Sequence, residues 1–156
     1  MKVRQANALD GDAVLSLYLR FYEESRYRRY PLNMEKVHEA IEAGLQPPKS
    51  RCLLVAEHST HGLVGLLAGS AAALWFSDTV VVQDHGFYVL PEFRGSTAAL
   101  KLVIAFRRWA ENRRAAELFI NQSGDIDQAR FGRFMRHMGF TCCGSNFVIP
   151  LGPSQP

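Results

Sequence analysis

The sequence predicts an α/β chain of the α+β kind, with a mixed, mostly antiparallel central sheet flanked by about four helices. Three observations carry that prediction. Apolar residues recur at helical spacing in four separate stretches. In the middle of the chain, extended segments follow one another with only turn residues between them, which favours antiparallel pairing. A strand–helix–strand unit then follows, which favours a parallel neighbour.

The first element is a short extended stretch around Met1 to Ala6. Asp10 is placed to cap a helix carrying Val14, Leu15, Leu17, Tyr18, Phe21 and Tyr22 on its apolar side. Asn33 is placed to cap a second helix built on Val37, Ala40 and Ile41, with Gly44 where a left-handed stop belongs. Pro47 and Pro48 enforce a loop. Cys52 to Glu57 and Gly62 to Leu74 read as strands joined by the polar turn Ser59-Thr60-His61-Gly62. Thr79 to Val82 and Gly86 to Leu90 read as one further strand interrupted at Gln83-Asp84-His85-Gly86, where a glycine inside a strand signals a bulge. From Thr97 to Asn112, Leu100, Val103, Ile104, Phe106, Arg107 and Ala110 mark the strongest helix, with Leu102 and Trp109 broadening its apolar side. Glu117 to Asn121 is a short strand. Asp125, with Gln128 three residues on, opens a last helix in the manner of a capping box, and that helix runs to Met138 and stops at Gly139. Thr141 to Leu151 supplies a final strand.

A chain of 156 residues with no linker, repeat or low-complexity segment reads as one domain over residues 1–151, with the tail 152–156 fraying. Lysine and arginine number 18 against 15 aspartates and glutamates, a net +3 that permits an anionic ligand without demanding nucleic acid. The longest uncharged apolar stretch, Gly62 to Ser77, falls short of the roughly 20 residues that span a bilayer. Met1-Lys2-Val3-Arg4-Gln5 leads into no signal core, so a cytoplasmic location and no membrane partner are expected. The three cysteines make neither a disulfide framework nor a zinc spacing. Adjacent Cys142 and Cys143 close a bond only with strain. The five histidines form no metal-binding pattern, so no metal site is expected.

Chemistry concentrates in Phe87-Tyr88-Val89-Leu90-Pro91-Glu92-Phe93-Arg94-Gly95-Ser96-Thr97-Ala98-Ala99-Leu100. Proline ends the strand, because it lacks a ladder donor. A loop of small residues then enters the long helix, whose first amides have no intrahelical partner and sit at its positive end. A phosphate can approach closely there, and Arg94 adds a permanent charge. A loop rich in Gly and Ser is also what any strand-to-helix connection needs. A P-loop and a dinucleotide fingerprint are both absent.

This segment resembles the GNAT acyltransferase superfamily, the acetyl-CoA-dependent N-acetyltransferases. Val89-Leu90-Pro91-Glu92-Phe93-Arg94-Gly95 is similar to the family's V-x-P-x-[YF]-R-G approach, and Ser96-Thr97-Ala98-Ala99 occupies its R-x-x-G-x-[GA] pyrophosphate loop. Met138-Gly139-Phe140 is similar to the family's terminal G-F. The order of elements fits over roughly Val3 to Leu151. The resemblance implies a GNAT-like fold whose sheet splays into a V near Leu90. It implies acetyl-CoA as co-substrate and no metal. The pantetheine arm would pair with the backbone of Phe87, Tyr88, Val89 and Leu90. The pyrophosphate would rest on Arg94, Gly95, Ser96, Thr97, Ala98 and Ala99, with Asn121 and Ser123 bonding the arm, against a reading of these two as loop caps. A backbone N–H near Tyr88 or Val89 would polarise the acetyl carbonyl, and a primary amine would attack directly, with no acyl-enzyme.

Two residues depart from the family pattern. Thr97 stands where a glycine is usual. Met135, four residues before Gly139, stands where the family often carries a tyrosine as acid to the leaving thiolate. Asp84, at about the place of a carboxylate in many members, and His85 are the candidate bases, each against a reading as part of a polar surface bulge. Tyr88 is the candidate replacement acid, against a reading as core packing.

Arg26-Tyr27-Arg28-Arg29-Tyr30 interleaves charge with aromatics. That pattern suits single-stranded nucleic acid, an anionic or aromatic acceptor, or simply a solvated loop with its tyrosines packed inward. Arg130, Arg133 and His137 share a helix face that could meet phosphates. The expected partner is a small-molecule or peptide amine acceptor, and an exposed strand near the C-terminus could pair two copies into a homodimer. The alternatives are a CoA-binding domain without turnover, and a basic nucleic-acid-binding module.

Overall fold

The computed structural model describes residues 1–151; the tail 152–156, expected to fray, lies outside the described residues. Five strands form one sheet in the order of the chain: β1 (Lys2–Gln5), β2 (Arg51–His58), β3 (Gly62–Ala73), β4 (Val80–Val89) and β5 (Glu117–Phe119). β1 to β4 pair antiparallel, and β5 lies parallel to β4. Helices α1 (Gly11–Glu24) and α2 (Met34–Leu45) cover one face. Helix α3 (Ala98–Glu111) covers the other, and α4 (Gln128–His137) brings Phe134 onto the same core as α3. Among the described residues no helix is long and apolar enough to cross a membrane.

Covering both faces explains the composition of β2. Its buried run Cys52–Ala56 does not alternate with polar residues, because each side of the strand meets helices. Leu54 and Ala56 join the core under α3, while Leu53 and Val55 join the core under α1 and α2. Phe106 of α3 is fully buried, with the tip of its ring against Gly69 of β3. The approach requires glycine: a Cβ at Gly69 would sit 2.4 Å from Phe106 Cζ and 2.8 Å from the Gln83 carbonyl oxygen.

The break expected in β4 is a bulge. Ala68 faces Gly86 and Gly69 faces Asp84, so His85 is the extra residue. A bulge bends its strand and increases the local twist.

Four expectations need correction. Asp10 precedes α1 without bonding its amides. Its carboxylate instead accepts from Arg4 Nη1 (2.7 Å), Arg4 Nη2 (2.9 Å) and the Asn7 amide (2.8 Å), tying β1 to the helix entry. Gly44 lies inside α2 rather than after it; its small size admits Leu53 Cδ2, 3.2 Å from where a Cβ would stand. α4 opens later than expected: Asp125 and Asp127 both take left-handed backbone (φ 59° and 43°), and Asp127 supplies the cap by accepting from the Arg130 amide at 3.1 Å. No strand forms between Thr141 and Leu151. β5 is only three residues long and offers a short edge, and Phe147, Val148, Ile149 and Leu151 remain exposed.

Gly69→Ala is expected to destabilise the protein by about 1–3 kcal/mol, the usual cost of overpacking a filled core, as read by urea unfolding. Gly95→Ala, where nothing lies within 4 Å of the added carbon, serves as the silent control.

Candidate active site

β4 and β5 part company early. Their pairing covers only Val81–Gln83 against Glu117–Phe119. From Asp84 to Val89, β4 has no strand along that edge. At the vertex, Asp84 Oδ1 accepts from the Asn121 amide (2.7 Å) and from Asn121 Nδ2 (3.0 Å). Burial raises the Asp84 carboxyl above its ordinary 3.8, against the lowering pull of those bonds.

Beyond the vertex the diverging elements enclose a chamber of about 790 Å³. Its walls are β4, the loop after β5, the start of α3, and Arg130, Phe131 and Phe134 of α4. Phe87 reaches across to both phenylalanines, with ring centroids 6.3 and 6.4 Å apart. At the α3 end the chain turns through a 3-10 segment, Pro91–Phe93. The Ser96 amide bonds the Phe93 carbonyl, and the Ala98 amide bonds Ser96 Oγ. No protein acceptor among the described residues takes the amides of Gly95, Thr97, Ala99 or Leu100. These unbonded donors surround the positive end of a 14-residue helix, a setting suited to an anion.

Arg94 does not offer its guanidinium to that anion site. Nη1 and Nη2 bond the Glu24 carboxylate at 2.5 and 2.6 Å, and Nε bonds the Val89 carbonyl at 3.0 Å. Tyr88 donates its hydroxyl to the same carboxylate at 2.9 Å. Arg94 first, then Tyr88, holds the Glu24 carboxyl below its ordinary 4.5, and burial pushes the Tyr88 phenol up to about 12. The trio ties α1 to the end of β4 and to the loop before α3. Arg130 Nη2 completes the join by donating to the Arg94 carbonyl at 2.9 Å.

A second chamber of about 730 Å³ lies under α1 and α2 on the other side of β4. Tyr18, Phe21, Tyr27, His85, Gly86, Phe87 and Tyr88 line both chambers and form the passage between them. The loop Arg26–Tyr30 turns Tyr27 inward, and the Arg26 amide pins it to the Gly124 carbonyl at 2.9 Å. Tyr22 Oη donates to the Tyr30 carbonyl at 2.6 Å.

The residues singled out from the sequence therefore divide. Asp84, His85, Phe87, Tyr88, Val89, Arg94, Ser96, Ala99 and Asn121 line the first chamber, as does Ser123. Leu90, Gly95, Thr97 and Ala98 do not. Ala98 is fully buried in the core, and Leu90 packs against that core. Gly95 and Thr97 contribute amides at the exposed turn. The Asn121 side chain is engaged by Asp84. His85 is exposed, with Nε2 2.7 Å from Ser70 Oγ. Met135 is buried and does not line the chamber; of the α4 side chains that do, Phe131 and Phe134 have no acidic proton and the Arg130 guanidinium does not give its proton up. Arg133 and His137 face elsewhere. Glu24 escaped the sequence reading, since a glutamate in the last turn of a helix carries no signal of a partner 70 residues away. The aromatic face of α1 was visible and was read as core.

A family model described as the acetyltransferase (GNAT) family matches residues 12–140. A comparison with curated proteins gave no match. Among solved structures, the aminoglycoside N-acetyltransferase AAC(6')-Iy bound to CoA is 20% identical, covering 96% of this chain and 98% of that one, with a TM-score of 0.69. A ribosomal-protein-alanine N-acetyltransferase from Brucella melitensis biovar Abortus 2308 is 17% identical over 97% and 100%, at 0.70. The BH1408 protein from Bacillus halodurans is 16% identical over 97% and 100%, at 0.80. At these identities the structures share the fold.

Glu24→Gln is expected to cost about 1–2 kcal/mol at pH 7, since charged hydrogen bonds in a half-buried pair are discounted for solvent screening. A carboxyl titrating below its unfolded value stabilises fully above that value and loses its contribution as pH falls through the folded one. The gap between wild type and variant in urea unfolding should therefore close as the solution is acidified below pH 4.5.

Proposed function

Because the chain belongs to the acetyltransferase (GNAT) family, we propose that it moves an acetyl group from acetyl-CoA to a primary amine by direct attack. The observation that carries this reading is the coincidence of an unpaired β4 edge with four unbonded amides at the start of α3. The amides of Gly95, Thr97, Ala99 and Leu100 fit a diphosphate, with Arg130 beside them. The free edge from Phe87 to Val89 fits an extended arm carrying its own amides. Acetyl-CoA supplies the activated acyl group; every other task falls to the chain.

The amine acceptor enters as an ammonium and must lose a proton before attack. His85 is assigned that step. It stands in the passage between the chambers, its ring is exposed, and the Ser70 hydroxyl holds its far nitrogen. Asp84 is assigned a positioning role, because its carboxylate is occupied in holding Asn121. Tyr88, its hydroxyl bonded to Glu24, is assigned to support the passage. A backbone N–H near Tyr88 or Val89 would polarise the acyl carbonyl. The solved relatives suggest two acceptor classes: a small-molecule amine, as for the aminoglycoside enzyme, and a peptide amine, as for the ribosomal-protein enzyme. One observation favours a second reading, a domain that binds CoA without turnover: Met135 is buried, and the α4 wall offers no acid.

Thr97→Pro tests the anion site. Thr97 has φ −80°, within proline's range, and its amide bonds nothing in the protein, so the change deletes one donor and no internal bond. Calorimetric titration should show CoA affinity falling about 10–100-fold, a charged hydrogen bond's share, with an unshifted melting temperature; unchanged affinity removes that amide from the site. Thiol release across a panel of amines separates turnover from binding alone. His85→Gln should lower kcat/KM about 100-fold or more with CoA affinity retained, while Asp84→Asn should lower it less.

A further inference from the structure

All five tyrosines of the chain, Tyr18, Tyr22, Tyr27, Tyr30 and Tyr88, line the second chamber. They come from α1, the loop after it, and β4, so helical periodicity alone did not bring them together. A cavity of about 730 Å³ is sized for a small organic molecule. Tyrosines give it rigid, wide walls that stack well on flat rings.

Charge sharpens the reading. Among the described residues, none of those lining this chamber is an aspartate or glutamate. Its ionisable residues besides the tyrosines and the thiol of Cys52 are Lys36, Arg51 and His85. A polyamine or aminoglycoside would have to shed water from several ammonium groups against walls offering no carboxylate, which is costly. A molecule with one amine avoids that cost if the amine alone reaches the passage. There, Tyr18 and Tyr27 line both chambers, and neither hydroxyl has a protein partner among the described residues. They are free to orient a ligand's polar end beside His85.

We propose that the acceptor is an aromatic monoamine, its ring held in the tyrosine chamber and its amine presented at the passage by His85. This rests on the acetyl-transfer reading above and names the acceptor class for the same site.

The test measures thiol release from acetyl-CoA with 2-phenylethylamine, tyramine and tryptamine against hexylamine, spermidine and kanamycin. It is paired with calorimetric binding of CoA, and of 2-phenylethylamine to the protein with and without CoA. The aromatic amines should exceed the others in kcat/KM by at least tenfold. Tyr30→Leu, at a half-exposed position, and Tyr27→Leu should raise their KM about fivefold or more with CoA affinity and melting temperature retained. Leu32→Glu, which puts a carboxylate on the chamber wall, should shift the ratio toward spermidine. Equal or better turnover of spermidine, kanamycin or hexylamine, or a KM indifferent to both tyrosine changes, overturns the proposal while leaving acetyl transfer standing. Absence of CoA binding with 2-phenylethylamine still bound overturns the transfer reading and leaves the aromatic chamber. Absence of both overturns both.

Discussion

The cleft depends on one hydrogen-bonded clasp. Asp84 fastens β4 to Asn121 just where the parallel pair β4–β5 stops. Without it, the two elements could continue side by side or fall apart. With it, pairing ends at a fixed point, and the next six residues of β4 keep a free edge. The bulge at His85 adds twist directly after the clasp, so the strand turns away as its partner ends. A buried carboxylate is an expensive fastener, since burial raises its proton affinity. Two N–H donors from one residue offset that expense and fix the geometry.

A second tie works at the other end of the same edge. Glu24 joins the last turn of α1 to Tyr88 on β4 and to Arg94 in the loop that precedes α3. Three segments are thereby held around one carboxylate, a join reinforced by the Phe21–Tyr88 ring contact and the Arg94–Val89 bond. The charge of Arg94 is spent inside the protein, and the proposed anion site is left to backbone amides and Arg130. Donors fixed in the main chain need little reordering when a ligand arrives, which favours preorganisation over flexible charge.

Much of the architecture was legible because it rests on short-range chemistry. Two apolar runs joined by a polar turn marked the β2–β3 hairpin, and Gly86 announced the bulge. Pro91 and the small residues after it marked the turn into α3. What escaped depends on partners distant in the chain. Asp10 looked like a cap, but Arg4 draws it away. Gly44 looked like a stop, but Leu53 needs the space. The apolar run Phe147–Ile149 has strand composition and finds no adequate edge. In the site, the loop and β4 were readable as one motif. The Glu24 tie was not, because three separate contacts create it. The α1 aromatics were assigned to packing, since periodicity cannot distinguish a face against a core from a face against a cavity.

The gathering of every phenol around a single hollow has an optical and chemical corollary. Every site of tyrosine nitration therefore lies on the wall of that hollow, whereas near-ultraviolet dichroism there also carries the bands of Trp75 and Trp109. The protein thus carries intrinsic, localised probes, graded from the half-exposed Tyr30 at the rim to the buried Tyr88 at the base.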